Sequence, residues 1–433
     1  MNRNYKKISE LIDEISMGPF GSDIKVDYFV KQGVPVLNGS NIASVKLRDG
    51  FTNFVSHDRA KGYKKAVANR GDIVITHRGT LGQIAYIPDD SEFEEYVISQ
   101  SQFRVRLKPE LINPVYFAYY FHTKEGQKRL LSFKSHVGVP ALAQATTNFR
   151  LLDFPLRPKG EQDAIAAVLE SIDRKVELNN RINSELEVMA KTLYDYWFVQ
   201  FDFPDANGKP YKASGGKMVY SSVLKRDIPK GWHDGCASNI FIFNPTTNLS
   251  KGSVAKYIDM DSLPIKGFMT KRPEEKEFAG GTKFIKNDVA VARITPCLEN
   301  GKTALLSRLE EGETGFGSTE FIILRGRNFP LFGFASCLSR SESFRQFAIA
   351  NMSGTSGRKR VDAKVLETYS LAIPPGEILE KFEKNVSLLF EKMTANSVEN
   401  DELSDLRDWL LPMLMNGQVT VKPSNESQEA QHG

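Results

Sequence analysis

The stretch densest in chemistry is "GDIVITHRGTLGQIAYI" (71–87), where His77, Arg78 and Thr80 sit among Gly79 and Gly82 between two apolar runs. A phosphate-cradling loop needs the G-x-x-x-x-G-K-[ST] spacing, so that a lysine reaches the phosphates and a hydroxyl reaches Mg²⁺. Neither residue follows Gly82. A tight turn that needs positive φ accounts for the glycines by themselves. Catalytic patterns are absent elsewhere too. The chain has no H-E-x-x-H, G-x-S-x-G or Walker sequence, and His57, His77, His122, His136, His233 and His432 are scattered without ligand spacing. "NPTT" (244–247) and "IPPG" (373–376) miss the Asn/Asp-Pro-Pro-aromatic loop of amine methylation, and the Pro-Asp pairs at 88–89 and 204–205 lack a downstream Glu-x-Lys. The expectation is a binder with no catalytic residue, no metal and no cofactor of its own.

A second cationic loop points to what is bound. "SGTSGRKRVDAK" (353–364) sets Arg358, Lys359 and Arg360 directly after a Gly/Ser turn, where backbone N–H groups and cations converge on phosphates or base edges. "SFKSHVGVPAL" (132–142) occupies the same place in the first half. A solvated surface loop also explains a run of charge. What favours a groove reader is that His77-Arg78 and Arg293-Ile294-Thr295 likewise follow strands and present a guanidinium.

At 433 residues, with 41% hydrophobic and 25% charged residues, two or more globular domains are expected. A net charge of +4 permits a polyanionic partner without requiring one. Cys236, Cys297 and Cys337 suit reduced thiols in a cytoplasm. The polar start "MNRNYKK" has no apolar run after it, and no stretch has the length of a membrane span.

The elements that hold these loops are repeated. "GDIVIT" (71–76) aligns with "NDVAVA" (287–292), placing Asp72 on Asp288, 216 positions apart. The same offset pairs Pro114 of "NPVYFAYYF" with Pro330 of "FPLFGFASC", and Pro158 of "RPKGEQ" with Pro374 of "PPGEI". Three anchors with one offset mark an internal duplication. "SQFRVRL" (101–107) aligns with "TEFIILR" (319–325) after a two-residue insertion, each a strand leading to a Pro-started, aromatic-rich helix. Each half then ends in a long helix. The first carries Ile165, Val168, Ile172, Ile182, Leu186, Met189, Leu193 and Tyr196 at spacings of three and four, interrupted at Lys175 and Asn179. The second carries Leu379, Phe382, Val386, Leu389, Met393, Leu403 and Leu410, interrupted at Asn396 and Asn400. Such stripes predict a coiled-coil pair, parallel or antiparallel, whose buried asparagines fix register. A helix that only covers its own domain would explain the apolar stripe but not the matched polar breaks. The expected class is α+β: two β-rich α/β domains joined by two long helices pairing as a coiled coil, in a pseudo-twofold repeat.

"GVPVLNGSNI" (33–42), "GDIVITHRGTLGQIAYI", "GTSGRKRV" (354–361) and the helix entrances "RPKGEQDAIAAVLESIDRKVELNNRINSELE" (157–187) and "PPGEILEKF" (374–382) resemble the specificity subunits of Type I restriction–modification systems over almost the whole chain. The resemblance implies a first target-recognition domain at 1–157, a central helix at 158–200, a linker at 201–231, a second recognition domain at 232–374, a distal helix at 375–416 and a disordered tail at 417–433. It further implies that each recognition domain reads one half of a split, asymmetric double-stranded DNA target. The helices would set the gap and dock modification subunits, two of them expected, which bring S-adenosylmethionine chemistry, and restriction subunits would join that core. A seam from Ile165 to Tyr196 measures roughly 48 Å, against about 34–36 Å for one DNA turn. The implied DNA-facing positions are Ser22, Lys25, Asn38, Ser40, Asn41, His77, Arg78 and Thr80 in the first domain, and Lys251, Arg293, Thr295, Ser356, Arg358, Lys359 and Arg360 in the second. Helix-pairing positions are Ile165, Ile172, Asn179, Ile182, Leu186, Met189, Phe382, Leu389, Asn400 and Leu403. The alternative is a non-enzymatic scaffold whose duplicated domains bind proteins and whose basic loops are incidental.

Overall fold

"IVIT" (73–76) and "VAVA" (289–292) bury every side chain, the pattern of a strand covered on both faces. In the computed structural model, which describes residues 4–19, 23–135, 140–355 and 357–421, each is an inner strand of a four-stranded antiparallel sheet. The first sheet comprises β1 (Ile12–Met17), β2 (Ile73–Thr76), β3 (Ile84–Tyr86) and β4 (Gln102–Leu107) in the order β1-β4-β2-β3. Alternate residues feed two cores: Ile73 and Ile75 face the cluster around α1 (Pro114–His122), while Val74 faces a smaller one with Leu37, Ile42 and Tyr96. Asn113 starts α1 by accepting the Val115 and Tyr116 N–H groups, and Pro114 opens its first turn. Behind it, α2 (Lys159–Tyr194) runs for 36 residues and passes into a π-helical turn at Asp195–Val199.

The second sheet repeats the first. It comprises β5 (Phe241–Phe243), β6 (Val289–Ala292), β7 (Thr303–Leu305) and β8 (Phe321–Gly326) in the order β5-β8-β6-β7, followed by α3 (Phe332–Arg340) and the 41-residue α4 (Gly376–Asn416). Val289 and Val291 face one core and Ala290 another, the same alternation as in β2. The residues before the two inner strands, Gly71 at φ 82° and Asn287 at φ 66°, are both left-handed, the conformation glycine and asparagine tolerate best.

The residue just ahead of each strand, Asp72 or Asp288, makes the same two-pronged contact with an arginine in both units. Asp72 is buried and takes a two-pronged bond from Arg106, Nε to Oδ1 at 2.9 Å and Nη2 to Oδ2 at 3.1 Å. Asp288 takes the same from Arg325, both prongs at 2.7 Å. Each carboxylate also accepts a backbone N–H three residues upstream, from Asn69 and Ile285. The register pairs Ile75 with Phe103 and Val291 with Ile322, so β4 and β8 match one residue further along than the two-residue insertion places them. A slip of one residue reverses the faces of a strand, and that slip concealed the match of Arg106 with Arg325.

The described residues form two compact units, one of those up to Arg174 together with those from Ser404 onward, the other of Lys175–Leu403. The boundary therefore falls within both long helices instead of at their ends. Within the first unit, α2 buries Ile165, Ala166 and Leu169 in that unit's core, beside Leu411, Leu414 and Met415 of α4. Within the second, the helices pair antiparallel through polar side chains. Asn179 donates to Asn400 Oδ1 at 3.0 Å and to Glu399 at 2.8 Å, Asn396 donates to Asn183 at 2.8 Å, and Lys175 meets Glu399 at 3.3 Å. The apolar residues of these helices serve mainly their own unit's core. Phe382 is fully buried there, and Leu186 and Leu389 pack against it.

Several expectations need correction. Met189 is 55% exposed, Tyr196 is exposed, and Ile182 and Leu403 are half-buried, because the inward face drifts to Asn183, Ala190 and Tyr194. A 3.6-residue helix loses register with a 3.5-residue stripe over this length. The helix α3 opens at Phe332, two residues after Pro330, so the Pro330 anchor is a loop residue. The stretch at 201–231 is ordered: Met218–Ser221 pairs with Arg226–Pro229, and Phe201, Phe203 and Ile228 are buried. Val419 and Val421 pack on the first unit's core, while the rest of the expected tail, 422–433, lies outside the described residues.

One buried acid carries a pH prediction. From α4, Glu383 accepts the Gly333 and Phe334 N–H groups at 2.6 and 3.2 Å, capping α3. Burial pushes its pKa up to about 7 despite these bonds. The folded state therefore holds a proton that the unfolded chain releases, and stability is lost as pH rises from the ordinary glutamate value toward 7. Glu383→Gln keeps an acceptor and cannot ionise, so the stability difference between wild type and variant is expected to shift by roughly 3 kcal/mol across that window. Urea denaturation followed by tryptophan fluorescence at several pH values checks this, and parallel pH profiles would exclude Glu383 as the titrating group.

Candidate nucleic-acid interface

Where β2 runs out, the next three residues are pinned on both sides. His77 N–H donates to Ser101 O at 2.9 Å, Leu142 N–H to His77 O at 2.8 Å, and Gly79 N–H to Pro140 O at 2.9 Å. The end of β6 repeats all three: Arg293 N–H to Glu320 O at 2.9 Å, Val361 N–H to Arg293 O at 2.9 Å, and Thr295 N–H to Lys359 O at 3.0 Å. Matching bonds make His77 equivalent to Arg293, Gly79 to Thr295, Ser101 to Glu320, and Ala141 to Arg360. The first unit thus has its own version of the Arg358–Arg360 loop, with Ala141 where the second has an arginine.

In the first unit the turn is joined by the loop at 38–41. Gln83 donates to Gly39 O at 3.0 Å and accepts from Thr76 Oγ1 at 3.2 Å, which ties that loop to the end of β2. Asn38 Oδ1 accepts the Ser40 N–H, which shapes an exposed turn. Arg78 and Thr80 are exposed, and the Arg78 side chain has no hydrogen-bond partner among the described residues. Gly82, at φ 89°, holds a left-handed conformation that side chains rarely adopt, and a Cβ there would displace the Gln127 amide, 2.4 Å from its Oε1. Its role belongs to the fold.

Two candidates in this unit change roles. Asn41 is buried, accepting from Asn38 N–H and donating to Arg48 O at 3.1 Å, so it braces the turn and does not face a groove. His77 turns inward, its Nε2 donating to Gln100 O at 3.2 Å, and burial lowers its pKa, so it offers no cation at neutral pH. Lys25 is exposed at the start of a 3-10 turn, with no contact that ties it to Arg78. Ser22 lies outside the described residues.

In the second unit Arg358 and Lys359 are exposed and free of side-chain partners among the described residues. Thr295 Oγ1 accepts the Lys359 N–H at 3.2 Å and is a loop brace. The Arg293 Nε is buried without a partner among the described residues. Arg360 is held by Glu320, which the sequence reading had not singled out: Nε lies 3.0 and 2.9 Å from the two carboxylate oxygens and Nη2 lies 2.6 Å from Oε1. That bond lowers the Glu320 pKa, keeping the carboxylate ionised. Lys251 stands exposed on a separate turn, and Ser356 lies outside the described residues. Among the described residues no cluster of three or more His, Cys, Asp or Glu could hold a metal ion, and no helix is long and apolar enough to cross a membrane.

The two units repeat one β-rich fold, and each exposes cations, unpaired among the described residues, beside the same pinned strand end, Arg78 in the first and Arg358 with Lys359 in the second, an arrangement suited to a polyanion. Residues 25–188 match the family model for the Type I restriction modification DNA specificity domain. The chain is 23% identical to the MjaIX Type I restriction enzyme specificity subunit of Methanocaldococcus jannaschii, over 97% of this chain and 94% of that one. It is 22% identical to the HindI specificity subunit of Haemophilus influenzae, over 94% and 99%. The fold matches a solved Type I restriction–modification S subunit from M. genitalium with a TM-score of 0.58 at 17% identity, covering 95% of this chain and 96% of that one. Over nearly its whole length the chain is thus similar to Type I restriction enzyme specificity subunits, and over residues 25–188 it matches their DNA specificity domain.

Proposed function

We propose that this chain is the non-catalytic specificity subunit of a Type I restriction–modification complex, each unit reading one half of a bipartite, asymmetric double-stranded DNA target. The observation that carries this reading is the repeated set of three loop-pinning hydrogen bonds, which holds different side chains in equivalent positions: Arg78, Pro140 and Ala141 in one unit, Ile294, Lys359 and Arg360 in the other. One frame with two sets of readers favours two unlike half-sites. The helices are 36 and 41 residues long, or about 54 and 62 Å if straight, more than one DNA turn of about 34–36 Å, which suits a fixed gap. Exposed Val188, Met189, Leu388, Leu406 and Trp409 on these helices favour protein partners there. On this reading those partners are two modification subunits, which carry S-adenosylmethionine, with restriction subunits joining the assembly in the cytoplasm.

Salt-dependent binding tests the DNA reading directly. Neutralised phosphates give a steep negative slope of log affinity against log salt, whereas a protein scaffold gives none. Methylation mapping of genomic DNA from a host carrying this chain and its modification subunit is expected to reveal two different half-sites separated by a constant gap. A flat salt response together with an unmethylated genome would leave the scaffold reading in its place.

A further inference from the structure

We infer that Arg360 reads a guanine in the half-site of the second unit, and that Glu320 is the positioning residue that aims it. This inference rests on the reading of the chain as a DNA specificity subunit. A guanidinium has two edges that can each make a pair of parallel hydrogen bonds. Glu320 takes the side edge, Nε and Nη2, and leaves the terminal edge, Nη1 with the second Nη2 proton, without a partner among the described residues. A guanine offers N7 and O6 in the major groove as two adjacent acceptors, the complement of that edge.

The backbone beneath this arginine is held as well. Arg360 N–H donates to Ser353 O at 2.8 Å, Ser353 N–H donates back at 2.9 Å, and Ile294 bridges to Arg360 from the other side. The side chain still reaches solvent, 42% exposed for Arg360 and 24% for Glu320. A carboxylate beside Arg358, Lys359 and Arg360 opposes phosphate binding, so charge attraction alone gives no reason for it. Orienting a planar fork does. The first unit has Ser101 and Ala141 at the equivalent places and lacks the pair, so the guanine belongs to one half-site only.

Selection from a randomised duplex library by the full chain, co-expressed with its modification subunit, tests this. Wild type is expected to require a G·C pair at one position of one half-site. Arg360→Ala should reduce that preference about 10- to 100-fold and leave every other position unchanged. Arg360→Lys keeps the charge and the salt slope yet should lose the same preference. Glu320→Gln should weaken the preference while raising affinity for unrelated DNA, and Glu320→Asp should restore part of it. Should Arg360→Ala unfold the second unit, Arg360→Lys and Glu320→Gln still report on base choice. Uniform weakening across all sequences would make Arg360 a phosphate contact, and an unchanged preference would make the pair purely structural; either overturns the inference and leaves the specificity reading standing. If wild type selects no sequence at all, both fall.

Discussion

Asp288→Ala is expected to destabilise the second unit by about 3–5 kcal/mol, because it strands a charge without its partner. Arg325 would keep only a long contact to Thr247 Oγ1 at 3.4 Å, and the Ile285 N–H would lose its acceptor. Burial is the largest influence on the Asp288 carboxyl and raises its pKa even beside the guanidinium, so the pair is no large net source of stability. What is costly is breaking it from one side. Replacing both partners by apolar residues of similar size, Asp288→Leu with Arg325→Met, should recover most of the loss. Asp72→Ala should cost less, since Arg106 is 41% exposed and can turn to water, and buried Arg104 keeps Glu14 at 2.7 Å. Denaturant unfolding checks both through the fluorescence of Trp197 and Trp232, which are buried in the second unit. Equal midpoints for wild type and Asp288→Ala would show that the fork does nothing for the fold.

Reversing Arg358 and Lys359 to glutamate should weaken duplex binding by at least about 100-fold at low salt and flatten the salt slope by about 2. Both side chains are exposed and unpaired among the described residues, so the change subtracts two attractions and adds two repulsions without disturbing a core. The loss of sequence preference should fall in one half-site. Arg78→Glu should do the same in the other, by a smaller factor because one charge is reversed. Fluorescence anisotropy over a salt series, with duplexes altered in one half-site at a time, measures this. Equal loss of preference in both halves would contradict the assignment of one unit to each.

Arg358 and Lys359 are legible because a cationic run after a Gly/Ser turn is a local signal. The Asp-Arg fork is not local: its members lie 34 and 37 positions apart, on different strands, and show as a repeat only once the register is known. The same holds for Glu320 and Arg360, 40 positions apart. Asn41 and His77 looked like readers because their side chains suit that task, and composition does not say which way a side chain turns.

By itself the sequence determined that the chain is duplicated, that "IVIT" and "VAVA" are matching segments of the repeat, that long helices follow each half, and that cationic turns follow strands or a Gly/Ser stretch. Period, turn chemistry and a shared offset are properties of neighbouring residues, and they survive without coordinates. Only the tertiary structure decided the antiparallel sense of the helices, the division of both between two compact units, and which arginines are free and which are held. Those outcomes depend on partners distant in the chain, where one residue of register turns a side chain from core to surface.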